Sequence, residues 1–237
     1  MKRKDNINMS LVYGVDSKTP ANTKLTNGYT LYDWVMRKSC FPSFWARNIS
    51  GEDSLKPTEI EFLMEKNCKI GCIFDDLKEE IISTRNGKDD AARAIEAAKN
   101  LGIPQNKGIA IFADIPSDWA VNHNWMMPFA KLILANGYIP GFIGNTDSSK
   151  NFNFDRECSH YIQGTKGAHE LYAVYWAKEP KYSFDPEVWA PYAPSEILPK
   201  DIKFWQYGDI AFHNITVNKS YMRNADFMKF FWQGEKI

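Results

Sequence analysis

Three apolar runs of this chain end on acids. Leu11–Asp16 (LVYGVD) ends on Asp16, Lys69–Phe74 (KIGCIF) runs into Asp75-Asp76, and Ile109–Asp114 (IAIFAD) ends on Asp114. Other polar groups stand at similar places. Arg47 ends Phe44-Trp45-Ala46-Arg47, Asn145 follows the run Tyr138–Ile143 and Gly144, and Gln206-Tyr207 ends Lys203–Tyr207. Carboxylates together with an arginine, amides and aromatic rings suit glycoside chemistry. A proton must reach the leaving oxygen, and positive charge developing at the sugar carbon must be stabilised. Aromatic residues make up 14% of the chain and include 8 Trp, enough to offer flat faces to sugar rings. A strand-ending aspartate also caps turns; three on one rim shift the balance towards a site.

Other chemistries find little support. Gly141-Phe-Ile-Gly144 is not a dinucleotide fingerprint, Gly14-Val-Asp-Ser is not a phosphate cradle, and neither a P-loop nor GxSxG occurs. The cysteines are Cys40, Cys68, Cys72 and Cys158, without a CxxC. At about 3.3 Å per residue along one strand, Cys68 and Cys72 are too far apart to bond to each other. His123, His160, His169 and His213 form no HxxxH or HxH. No metal site and no cofactor are therefore expected; the thiols read as buried and the imidazoles as surface groups.

The elements that must hold these groups alternate. Strands are expected at Leu11–Asp16, Phe44–Arg47, Lys69–Phe74, Ile109–Asp114 and Tyr138–Ile143. Helices are expected at Leu31–Arg37, from Pro57, at Lys88–Asn100 and at Trp125–Ala135. Pro57 suits a first helical turn. Asp89 and Asp90 favour the positive end of the Lys88–Asn100 helix, whose Ala91, Ala94, Ile95 and Ala98 make an apolar face. Beyond Thr146 the pattern changes to strands at Glu170–Ala177, Lys203–Tyr207 and within Ile215–Phe227, with a loop over Pro180–Pro199. Alternation with short connections implies parallel βαβ units, and about eight strands fit a barrel. The expectation is an α/β, TIM-like barrel with five βα units followed by helix-poor closing strands, as one domain over residues 1–237. In such a barrel the strand-end acids share the catalytic rim.

Composition narrows the partners. The chain carries 29 basic and 29 acidic side chains, a net charge of +0, which argues against nucleic-acid binding. No apolar stretch is long enough for a membrane span, and the start Met1-Lys2-Arg3-Lys4-Asp5 lacks the apolar run of a signal peptide. Action at the bacterial cell wall or outside the cell would need another route. Oligomeric state is not legible.

Several segments in order resemble the glycoside-hydrolase-like barrel domains of bacteria, relatives of the glycoside hydrolase family 25 lysozymes. These are Tyr13-Gly14-Val15-Asp16, Trp45-Ala46-Arg47, Asp90–Ala98 with Leu101-Gly102-Ile103-Pro104, Ile111-Phe112-Ala113-Asp114, Trp205-Gln206-Tyr207 and Asn224-Ala225-Asp226-Phe227. The resemblance implies a barrel with five βα units and a carbohydrate substrate, peptidoglycan in the lysozymes. It implies catalytic roles for Asp16, Asp114 and Asp226. Tyr13, Arg47, Asp75, Asn145, Trp176, Gln206 and Tyr207 would bind the sugar, with Trp176 or Trp205 as a stacking platform. The chain departs from the lysozymes at one position. Where they place a glutamate two residues after the fourth-strand aspartate, this chain has Pro116. Asp118, another rim acid or Asp114 itself would then donate the proton. Two functions follow: a glycoside hydrolase of cell-wall peptidoglycan or a related polysaccharide, or a non-catalytic carbohydrate-binding or cell-surface module on the same barrel.

Overall fold

The computed structural model describes residues 11–38, 40–149, 153–165, 172–194 and 202–234. Eight strands close into a barrel in sequence order. They are β1 (Val12–Asp16), β2 (Phe44–Asn48), β3 (Lys69–Phe74), β4 (Ala110–Asp114), β5 (Ile139–Gly144), β6 (Val174–Ala177), β7 (Phe204–Phe212) and β8 (Ile215–Met222). Strands β1 to β7 run parallel, and β8 returns antiparallel to both β7 and β1. The helices are α1 (Leu31–Arg37), α2 (Pro57–Glu65), α3 (Glu79–Ile82), α4 (Lys88–Asn100), α5 (His123–Ala135) and α6 (Phe154–Gly164). Helix α6 was not expected from the sequence. His169, the start of Glu170–Ala177 and the end of Pro180–Pro199 lie outside the described residues. Among the described residues no helix is long and apolar enough to cross a membrane.

Side chains alternate across each strand, and the two faces pack into separate cores. Trp45, Cys72, Ile111, Phe142, Tyr175 and Trp205 belong to the outer core with the helices. Phe44, Ala46, Ile73, Phe112, Ile143, Trp176, Phe204 and Met222 fill the barrel, together with Phe230 and Phe231 from a 3-10 helix at Ala225–Phe230 and the residue after it. Phe231 stacks on Phe204 with ring centroids 5.0 Å apart and meets Phe44 edge-on at 4.7 Å. Trp232 then pairs with Ile70 near the start of β3. The C-terminal segment therefore plugs the barrel at the N-terminal ends of the parallel strands. All four cysteines are buried free thiols.

Two glycines make room for the inner rings. A Cβ on Gly14 would stand 2.3 Å from the Phe44 ring, and one on Gly141 would stand 2.3 Å from Phe112. Gly141→Ala should therefore overpack the barrel and cost about 1–3 kcal/mol. Thermal unfolding would show this as a Tm lowered by several degrees, about 2–4 °C per kcal/mol for a chain this size.

Candidate active site

The inner-face alternation continues past the apolar layers and ends in polar groups. Asp16 follows Gly14, Asn48 follows Ala46, Asp75 follows Ile73, Asp114 follows Phe112 and Lys178 follows Trp176, each two residues on. All stand at the C-terminal ends of parallel strands. Because β8 runs the other way, its beginning meets this rim: Asn218 pairs in register with Asp16. A cavity of about 320 Å³ opens here, walled by Asp16, Asn48, Asp75, Asp114, Thr216 and Asn218 over a floor of Ala46 and Ile73. Ser17, Lys18 and Thr19 of the β1–α1 loop and Asn214 of the β7–β8 turn complete its mouth.

The three carboxyl groups sit in different surroundings. Asp16 accepts a hydrogen bond from Asn218 Nδ2 on Oδ2 at 2.7 Å, while its Oδ1 is buried without a hydrogen-bond partner. Burial pushes the Asp16 carboxyl up to about 7. The Asn218 bond opposes that rise, the charge of Asp114 adds to it, and Lys178 and Lys181 pull it back. Asp75 accepts from Asn48 Nδ2 at 2.6 Å. Burial raises it too, with Lys18 opposing and Asp114 adding. Asp114 forms an ion pair with Lys178, whose ammonium also donates to the carbonyl of Ile115 at 3.3 Å. One carboxyl that holds its proton near neutrality thus shares a cavity with one paired to a cation. A carboxyl raised by burial beside one paired to a cation has the makings of an acid with a charged partner.

The remaining residues expected at the site lie elsewhere, and for Arg47, Tyr13 and Tyr207 strand parity explains why. Arg47 is one residue off the inner parity and points outward. It is fully buried, with Nε 2.8 Å from Glu59 Oε1. Its other nitrogens donate to the backbone carbonyls of Ser17, Lys18 and Asp53. It holds the cavity's β1–α1 wall from behind and has no face for a sugar. Tyr13 and Tyr207 also point outward. Tyr207 stacks on Tyr221 at 4.5 Å and donates to Asp185 at 2.9 Å, while Tyr13 meets Tyr221 edge-on. Trp176 does point inward, but it is buried against Phe44, Phe112, Phe204 and Phe231 below the cavity. Trp205 is buried in the outer core. Asn145 closes a turn by accepting from the Asp147 backbone at 2.9 Å, and buried Gln206 faces Ser220 across the β7–β8 ladder; neither lines the cavity. Asp226 is exposed in the 3-10 helix after β8. Since β8 is antiparallel, whatever follows it emerges at the opposite end of the barrel from Asp16 and Asp114. Asp118 does not line the cavity either.

Sequence reasoning missed Asn48, Lys178 and Asn218. Asn48 and Lys178 were reachable by counting every second residue from Phe44 and from Trp176. Asn218 required knowing that β8 reverses direction.

No protein-family model matches the sequence, and none of the curated proteins does. Solved structures are similar. An uncharacterized B. stearothermophilus protein superposes with a TM-score of 0.76 at 24% identity, over 93% of this chain and 100% of that one. The Mycobacterium tuberculosis Tat-secreted protein Rv2525c, solved in complex with HEPES, gives 0.57 at 13% identity over 90% of this chain and 96% of that one. The Clostridium perfringens spore cortex lytic enzyme SleM gives 0.52 at 11% identity over 91% of this chain and 68% of that one. At these identities the likeness is one of fold alone: a barrel shared with these three proteins.

Proposed function

We propose that the chain is a glycoside hydrolase acting on bacterial cell-wall peptidoglycan or a related polysaccharide, with the rim cavity as its active site. One observation carries this reading: in one cavity, burial raises the Asp16 carboxyl while Asp114 is paired with Lys178. Asp16, protonated up to about pH 7, donates to the glycosidic oxygen as the bond to the sugar carbon breaks. The Asp114 carboxylate stabilises the positive charge left on that carbon. Water adds there, and the proton it releases restores Asp16. Asp75, held by Asn48, orients the sugar or the water. The lysozymes' glutamate position is Pro116 here, so this assignment moves the proton donor from the end of β4 to the end of β1. The spore cortex lytic enzyme among the fold's neighbours supports a wall glycan as substrate, by analogy of fold alone.

Release of reducing ends from purified peptidoglycan and chitin-type oligomers tests this. The wild type should turn over at least one of them, and Asp114→Asn should lower the rate by about 10²–10³-fold. A second reading, a glycan-binding module that does not cut, is favoured by Pro116 and by the Lys178 cation on Asp114. Its result would be binding without turnover.

Lys178 offers a further check. Its charge pulls the Asp16 carboxyl down. In Lys178→Met that pull is gone, so the alkaline limb of the pH–rate profile should move up by on the order of one pH unit. Unchanged limbs would separate Lys178 from the proton donor.

A further inference from the structure

A second cluster of side chains lies on the rim outside the cavity. His123 begins α5, and Glu157 and His160 stand three residues apart on α6. His123 Nδ1 is 2.6 Å from Glu157 Oε2, and His160 Nδ1 is 3.5 Å from Glu157 Oε1. One carboxylate is thus flanked by an imidazole nitrogen on each of its oxygens. One ligand atom from each of the three residues lies within 4.8 Å of the others. We propose that His123, Glu157 and His160 bind a divalent transition-metal ion of the zinc type.

The donor set fits that ion. Two imidazoles and a carboxylate occupy three positions of a tetrahedron and leave the fourth for water or another ligand. Bonds of about 2.0–2.1 Å place tetrahedral ligands about 3.3 Å apart, so modest closure of the cluster suffices. His160 is exposed and His123 half-exposed, so both rings can turn, and an ion has a path from solvent. The carboxylate between them is buried and already oriented. The His123 backbone N–H donates to its Oε2 at 2.9 Å.

The segments that lead into α5 and α6 are also fixed to each other. Asn153 accepts from the Val121 N–H at 2.9 Å and donates to the Val121 carbonyl at 2.7 Å. Such outer hydrogen bonds hold ligands in place before the ion arrives. Arg156 competes for the carboxylate, with Nε 3.2 Å from Glu157 Oε1, but its side chain is largely exposed and free to swing aside. The HxxxH and HxH patterns do not reveal this site; the Glu-x-x-His spacing on α6 does, once α5 brings His123 beside it.

Calorimetric titration of the full chain with zinc chloride, without any glycan, tests the proposal apart from the hydrolase reading. One zinc ion should bind per chain, with Tm rising by about 5–10 °C at a hundredfold excess over Kd. Cobalt(II) should give the intense visible bands of a tetrahedral site. His160→Ala, at an exposed position the fold does not need, should weaken binding about tenfold or more. Arg156→Gln should tighten it, and His213→Ala on the distant β7–β8 turn should leave it unchanged. Absence of saturable binding would overturn the proposal. So would zinc affinity that survives His160→Ala, or that is lost in Asp16→Asn instead.

Discussion

Replacing Asp16 by asparagine is expected to remove turnover and stabilise the fold in the same step. In the proposed role of proton donor, Asp16 would contribute a factor of about 10²–10⁴, and the amide has no proton to give at any working pH. Loss of that size should appear in kcat. Stability moves the other way. The Asp16 carboxyl is raised from 3.8 to about 7 in the folded protein. Between those values the folded state binds a proton that the unfolded state has released. Rising pH therefore costs stability across this window, and the loss is complete above about pH 7. Each pH unit within it is worth at most about 1.4 kcal/mol, and screening at the open cavity reduces the total to about 1–3 kcal/mol. Asparagine keeps an oxygen for Asn218 and carries no charge. The variant should therefore melt higher than the wild type at pH 8 and match it near pH 4. A variant that melts lower at pH 8 and retains turnover would remove Asp16 from the mechanism.

Arg47→Ala should show the largest loss of stability in the chain. The guanidinium is fully buried against Glu59, which also accepts the Ala21 backbone N–H at 2.8 Å. Removing the arginine leaves a buried carboxylate without its cation and three loop carbonyls without a donor. Breaking a buried pair on one side costs about 3–5 kcal/mol. Tm should fall by about 10 °C or more. The usual rescue of a buried pair by two apolar residues should fail here. Arg47→Met with Glu59→Leu still orphans the carbonyls of Ser17, Lys18 and Asp53. A sugar-binding arginine would behave differently, with KM raised and Tm unchanged.

The comparison of Arg47 with its neighbour Asn48 shows how far the sequence could be read. The strand itself was legible, because β2 is buried on both faces and reads as an apolar run. Helices α1 and α4 were legible to the residue, the latter from the acids that open it and its apolar face. Which end residue faces the cavity is a matter of parity, and a shift of one residue exchanges the inside for the outside. Arg47 carries the more conspicuous chemistry, but Asn48 has the inward parity and holds Asp75. Tyr207 repeats the lesson, since its aromatic ring drew attention and faces outward. Asp226 failed for a different reason: strand direction is set by pairing, and nothing local to Ile215–Met222 announces that β8 reverses. Helix α6 was hidden by composition. Its buried face includes Phe154, Cys158 and Tyr161, at helical spacing but with a thiol and a phenol in place of aliphatic residues. Asp16, Asp75 and Asp114 line one cavity because each ends a run of apolar residues, and the closed barrel brings those ends together.

The functional account depends on a proton that Asp16 holds near neutrality. Carbon-13 NMR titration of the aspartate side-chain carboxyls, assigned through Asp16→Asn, measures it directly. The account predicts an inflection near pH 7 for Asp16 that moves lower in Asp114→Asn, where the neighbouring negative charge is removed. An Asp16 carboxyl that titrates in the ordinary range, below about pH 5, would contradict it.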